Sequence, residues 1–155
     1  MSHQASYQHN ESYAEFLANW ESGFYAKYAD TLRPARAGSR VLDVGCGVGQ
    51  VVARLTEAGF EAHGVDVSEP NIARARQISA HCQIYDGRRL PFADCCFASA
   101  GALNVLEHVD EPEAFIAELV RVVEPGGRVV LSSPNFFRVL GFRDYHPRID
   151  RKSVV

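Results

Sequence analysis

Three carboxylates and one imidazole carry most of the chemistry this sequence could do. Asp43 stands in "VLDVGCGVGQ", residues 41–50, where an apolar run meets glycines at positions 45, 47 and 49. A dinucleotide turn needs G-x-G-x-x-G. The sixth position is Gln50 counted from Gly45 and Val52 counted from Gly47, so the fingerprint fails from either start. The tighter G-x-G-x-G spacing bares the backbone for a close approach. An acid beside that turn repels a phosphate and attracts an ammonium or a sulfonium. Asp66 follows roughly 20 residues on, where a carboxylate takes ribose hydroxyls in nucleotide-binding sheets, since it accepts from both at once. Asp86 could accept from an exocyclic amine such as that of adenine. One such Asp is most often a turn former, but three at successive strand ends point together to a nucleoside with a cationic arm. His108 could serve as a general base, because an imidazole titrates near neutral pH. The plainer reading is a structural histidine at a helix end.

These residues need elements that bring them to one edge. Residues 13–32 read as a helical segment with Phe16, Trp20, Phe24 and Tyr28 spaced by four. Strands and helices then alternate: a strand at 41–45, a helix at 50–58 closed by Gly59, a strand at 60–65, and a helix capped by Ser68. A brief strand at 82–85 follows, then a weakly patterned fourth within "LPFADCCFASAGAL". Asp110 and Glu113 form a D-x-x-E capping box for a helix through Val123, "EPGG" stops it, and 128–132 is the fifth strand. Alternation of this kind predicts an α/β fold, a doubly wound parallel sheet in the order 3-2-1-4-5. Ligands bind beyond the strand C-termini where the order reverses, between the first and fourth strands.

"VLDVGCGVG", "GVDVSEPNIARAR", "YDGRRLPFADCCF", "NVLEHVDEP" and "LVRVVEPGGRVVLSSPN" resemble, in order, the motifs of class I S-adenosylmethionine-dependent methyltransferases. The similarity is to the small-molecule branch that includes ubiquinone-biosynthesis enzymes, and it runs from Trp20 to Asn135. It implies a Rossmann-like core at 36–135, an N-terminal helical segment or lid at 1–35, and a C-terminal remnant at 136–155. It implies S-adenosyl-L-methionine as cofactor. Gly45, Cys46, Gly47 and Gly49 would approach its methionine part, with Asp43 at its amino group. Asp66 would hold the ribose hydroxyls and Val67 pack on adenine, while Asp86 and Gly87 read the adenine edge. Leu103 and Asn104 would lie near the reactive methyl. The implied reaction moves a methyl group to oxygen or carbon of a small-molecule acceptor, with His108 as candidate base. Related RNA-modifying enzymes hold a metal with E-x-x-E-H, but here Asn104 replaces the first acid before Glu107 and His108, so no metal is expected.

Bulk properties narrow the field. A length of 155 residues fits one domain, and 46% hydrophobic residues can bury a core. Net charge is −3, so nucleic acid is not an expected partner. The N-terminus lacks an apolar signal-peptide centre and no run reaches the ~18 apolar residues of a membrane span, so a cytoplasmic location is the default. Cys46, Cys82, Cys95 and Cys96 form no C-x-x-C pair and read as buried reduced thiols. Two departures from the family stand out. In the fourth strand, Ala98 replaces a common Asp, and Ala100 and Gly101 offer little to pack. After Asn135 too few residues remain for the family's last two strands, which would leave the fifth strand as an edge open to self-association. An inactive cofactor-binding or assembly domain of the same fold is therefore the competing reading. A nicotinamide oxidoreductase is a third, disfavoured by the glycine count.

Overall fold

A computed structural model describes residues 22–132. The expectations placed on Phe16, Trp20 and residues 133–155 lie outside them. Helix α1 spans Ser22–Leu32 and strand β1 Arg40–Val44. Then come α2 (Gln50–Glu57), β2 (Glu61–Asp66), α3 (Glu69–Ile78) and β3 (Cys82–Ile84). Strand β4 is Phe97–Leu103, a 3-10 turn covers Leu106–His108, α4 is Pro112–Val122, and β5 is Val123–Ser132. All strand pairs are parallel and the order is β3-β2-β1-β4-β5, the doubly wound arrangement expected.

Period-two alternation in β1 sends Val41 to one face and Leu42 and Val44 to the other. The first face is covered by Tyr28 and Leu32 of α1, Val51, Val52 and Leu55 of α2, and Ile72 and Ala75 of α3. The second is covered by Phe115, Leu119 and Val122 of α4, with Leu90 and Phe97. Ser68 caps α3 by accepting from Asn71 N at 3.4 Å, as its sequence position predicts.

Two local expectations are corrected. The capping box does not form: the N-cap of α4 is Glu111, with no side-chain cap bond, because Pro112 takes the first helical position. "EPGG" does not delay the fifth strand either. Val123 already pairs with Phe97, and the next pairs are Ser99 with Arg128, so residues 124–127 bulge out within β5. Cysteines divide as well. Cys46 and Cys82 are buried, but Cys95 is exposed and Cys96 half-buried, and all are reduced.

The small residues of β4 have their cause in α1. Ser99 Oγ donates to Leu32 O at 2.6 Å, and the space above Gly101 is filled by Tyr28 Oη and Leu32 Cδ1. Arg128 Nη1 donates to Thr31 O at 3.0 Å, closing the same helix end. What these residues do not fill, a helix lying directly on the strand does.

On the other face Arg121 ties the segment between β3 and β4 to α4. Its guanidinium donates to Phe92 O at 2.9 Å, Leu90 O at 3.1 Å and Asp94 Oδ1 at 2.7 Å, and to both oxygens of Glu118. Glu118 in turn accepts from Leu90 N at 2.9 Å. Arg121→Ala removes the donor of two carbonyls and two carboxylates and should cost about 2 kcal/mol. That is a fall in Tm of about 4–8 °C by thermal denaturation. Arg121→Lys, without the planar fork, should recover only part of it.

Candidate functional site

Strand order reverses between β1 and β4, and the bend of residues 45–49 leaves the sheet there. Gly45, Gly47 and Gly49 all have positive φ, at 75°, 54° and 87°. At Gly45 the requirement is double, since an added Cβ would overlap Val105 Cγ2. At Gly49, the N-cap of α2, a Cβ would meet Ala75 at 3.3 Å. Both positions are therefore bare partly to let neighbouring segments close in. The bend hangs from β2: Gly45 N and Cys46 N both donate to Val65 O, at 2.7 and 2.9 Å, and Gly47 N donates to Asp66 Oδ2 at 2.8 Å.

Asp66 is 7% exposed. Its Oδ1 accepts from Ser68 N at 2.8 Å and from Asn71 Nδ2 at 3.4 Å. It thus ties the glycine bend to the start of α3, and three of a carboxylate's roughly four accepting positions are engaged. Burial holds its pKa above the ordinary carboxylate range, against these donors. Val67 follows it, half-buried.

Asp43 lies one layer deeper, 2% exposed. Among the described residues its Oδ1 has no hydrogen-bond partner. Burial pushes its pKa far up, and the nearby Cys82 and Asp66 push the same way. Burying a carboxylate oxygen without a donor or a cation beside it is costly in any fold.

Asp86 is exposed, and its Oδ1 accepts from Arg88 N at 2.8 Å and Arg89 N at 2.9 Å. These bonds shape the loop and lower its pKa. Gly87 beside it has φ 78°. Between Asp66 and Asp86 sits Tyr85, which sequence reasoning passed over. Burial, then the charges of Asp66 and Asp86, push its phenol pKa up. Its signal was an aromatic residue directly after the third strand.

From β4, Leu103 pairs with Ser132, and Asn104 follows in the left-handed region at φ 54° with its N donating to Ser132 O at 2.7 Å. A non-glycine residue held there is a mark of a constrained site, and Asn bears it best. Val105 of this segment rests on Gly45, and His108 ends the short turn beyond, half-buried, its N donating to Val105 O at 2.9 Å. The structure thus joins Asp43, Gly45, Cys46, Gly47, Asp66 and Val105 into one cluster. Asp86 and His108 stand on flanking segments. Among the described residues no group of three or more His, Cys, Asp or Glu could hold a metal ion, and no helix is long and apolar enough to cross a membrane.

Comparison with known proteins bears on what this edge binds. The sequence model of a family described as a methyltransferase domain matches residues 42–131. The ubiquinone biosynthesis O-methyltransferase of Dechloromonas aromatica is 35% identical over 106 residues, 64% of this chain and 46% of that protein. Among solved structures, the [4+2]-cyclase SpnF aligns with a TM-score of 0.63 at 30% identity, over 72% of this chain and 44% of its own. Phosphoethanolamine N-methyltransferase 2 of Haemonchus contortus, solved with S-adenosyl-L-methionine, shares the fold at a TM-score of 0.64 and 22% identity, over 72% of this chain and 28% of its own. The chain spans less than half the length of each of the three.

Proposed function

This chain belongs to the S-adenosyl-L-methionine-dependent methyltransferase-domain family, and on that premise we propose that it transfers a methyl group to oxygen or carbon of a small-molecule acceptor. The observation that carries the reading is the unpartnered, buried Asp43 Oδ1 beneath a left-handed glycine bend at the reversal of strand order. That donor set fits the cofactor: an acid without a cation suits an ammonium, and no basic side chain stands ready for a phosphate among the groups acting on Asp43.

In this reading Asp43 faces the amino group, and Gly45, Cys46, Gly47 and Gly49 give the methionine part its backbone contacts. Asp66 holds ribose with the accepting capacity its internal bonds leave. Val67 and Tyr85 flank the adenine, and Asp86 and Gly87 meet its edge. When bound, the cofactor supplies a methyl group on a sulfonium, a carbon electrophile. Leu103 and Asn104 wall the side where an acceptor aligns, which by positioning alone can lower a barrier by several kcal/mol. His108 takes the proton of a hydroxyl acceptor. A calorimetric titration with S-adenosylhomocysteine and with NADH tests the cofactor. Labelled cofactor with a panel of phenolic and activated-carbon acceptors tests the transfer.

A second reading has its own support. One aligned structure, at 30% identity, is described as a cyclase rather than as a methyltransferase. A domain that binds the cofactor without transferring methyl would bind S-adenosylhomocysteine and leave every acceptor unlabelled.

Asp43→Asn should move binding and stability in opposite directions. The folded-state pKa of Asp43 is raised, so its contribution favours folding at low pH and is lost as pH rises above the ordinary carboxylate value. The neutral amide escapes that loss. Without ligand, the variant should melt about 2–4 °C higher at neutral pH, with the gap closing toward acid. Its affinity for S-adenosylhomocysteine should fall by about tenfold or more.

A further inference from the structure

Helix α1 lies N-terminal to the family match, which begins at residue 42. Yet one of its side chains reaches the deepest point of the site. Tyr28 Oη and Asp43 Oδ1 are both buried and both lack a partner among the described residues, so they are not bonded to each other directly. Tyr28 is 6% exposed. Asp43 and Gly101 are register partners on β1 and β4, so both positions point to the face that α1 covers. A Cβ on Gly101 would lie 2.5 Å from Tyr28 Oη. The hydroxyl therefore stands over the neighbouring strand, roughly 5 Å across from Asp43. The other neighbour of Asp43 is Gly64 on β2, covered by Cys46 Sγ.

The titratable groups around Asp43 are Tyr28 from α1, Cys46 from the bend, Asp66 from β2 and Cys82 from β3. None is a cation. Gly101 of β4 and Val130 of β5 complete that row of the sheet without charge. Burial and the charge of Asp43 both keep the Tyr28 phenol protonated, and hence a donor.

We propose that Tyr28 is a positioning residue for Asp43, its hydroxyl donating through one buried water that in turn donates to Asp43 Oδ1. A water accepts one such bond and gives another, and two orphaned buried polar atoms at adjacent strand positions are the partners one needs. Through this bridge α1 sets the orientation and ionisation of the carboxylate that faces the cofactor's ammonium, a role that rests on the cofactor reading above.

The test is a cycle of Tyr28→Phe, Asp43→Asn and the double variant, with Ser99→Ala as a control that loosens α1 without touching Asp43. In ligand-free chain at alkaline pH, Tyr28→Phe lowers Tm by about 2–4 °C in the native background and by less than half of that in the Asp43→Asn background. With S-adenosylhomocysteine, Tyr28→Phe weakens binding about tenfold and moves the acid limb of the affinity profile to higher pH. Ser99→Ala lowers Tm and leaves that limb in place. Equal Tm losses in both backgrounds, or a limb that moves alike in Tyr28→Phe and Ser99→Ala, overturn the proposal. If the native chain binds no S-adenosylhomocysteine, the cofactor reading fails, while the ligand-free cycle still decides whether Tyr28 and Asp43 are coupled.

Discussion

Asp66→Asn weakens S-adenosylhomocysteine binding by about 100-fold and destabilises the ligand-free chain by about 2 kcal/mol. The size follows from what both oxygens hold. Oδ2 accepts from Gly47 N, and Oδ1 from Ser68 N and Asn71 Nδ2. An amide has a single oxygen, so whichever way it turns its NH2 meets a backbone donor. One charge-assisted bond is lost and a donor-donor conflict replaces it, inside a site that is almost closed to water. The bend at Gly47 then loses its fixed height above β2, and under the proposed cofactor reading the ribose loses its acceptor. Calorimetry gives the first effect and thermal denaturation the second. A variant that binds as tightly as the native chain would remove Asp66 from the ribose contact and leave it only its bonds to Gly47, Ser68 and Asn71.

Gly45→Ala is the second large effect, about 3 kcal/mol or more of stability and a fall in Tm of about 6–12 °C. A methyl group there must share space with Val105 Cγ2 while the backbone stays at φ 75°. The two costs separate in the double variant with Val105→Ala. Shortening Val105 removes the overlap but not the left-handed strain, so about half of the loss should return. Full recovery would mean that the backbone conformation costs nothing, and no recovery that the contact with Val105 is unimportant. Because Val105 belongs to the segment that carries Asn104 and His108, the single variant should also displace those two residues.

How far the sequence could be read depended on how far apart the causes lay. The strand order came through because strand, helix and turn signals are local and a parallel sheet with short connections leaves few topologies. Ser68 was legible as a cap for the same reason. The small residues of β4 were not, since what fills the space above Gly101 is Tyr28 and Leu32 from a helix some seventy residues upstream. "EPGG" reads locally as a stop, but pairing of Val123 with Phe97 overrides it and turns the stop into a bulge. In the site itself, the acids at strand ends were visible by type and spacing. Their different duties were not: Asp66 and Asp86 spend oxygens on backbone amides, whereas Asp43 has an oxygen with none. Tyr85 stayed hidden because an aromatic after a strand looks like core.

The bend of residues 45–47 is suspended from Val65 O and Asp66 Oδ2 with no ligand required. Its disorder is therefore lost when the sheet assembles, before any small molecule arrives. Association then starts from a rigid receptor. Affinity reflects the contacts made rather than the freezing of a floppy segment, and encounter is governed by how readily a guest reaches the rim of the sheet.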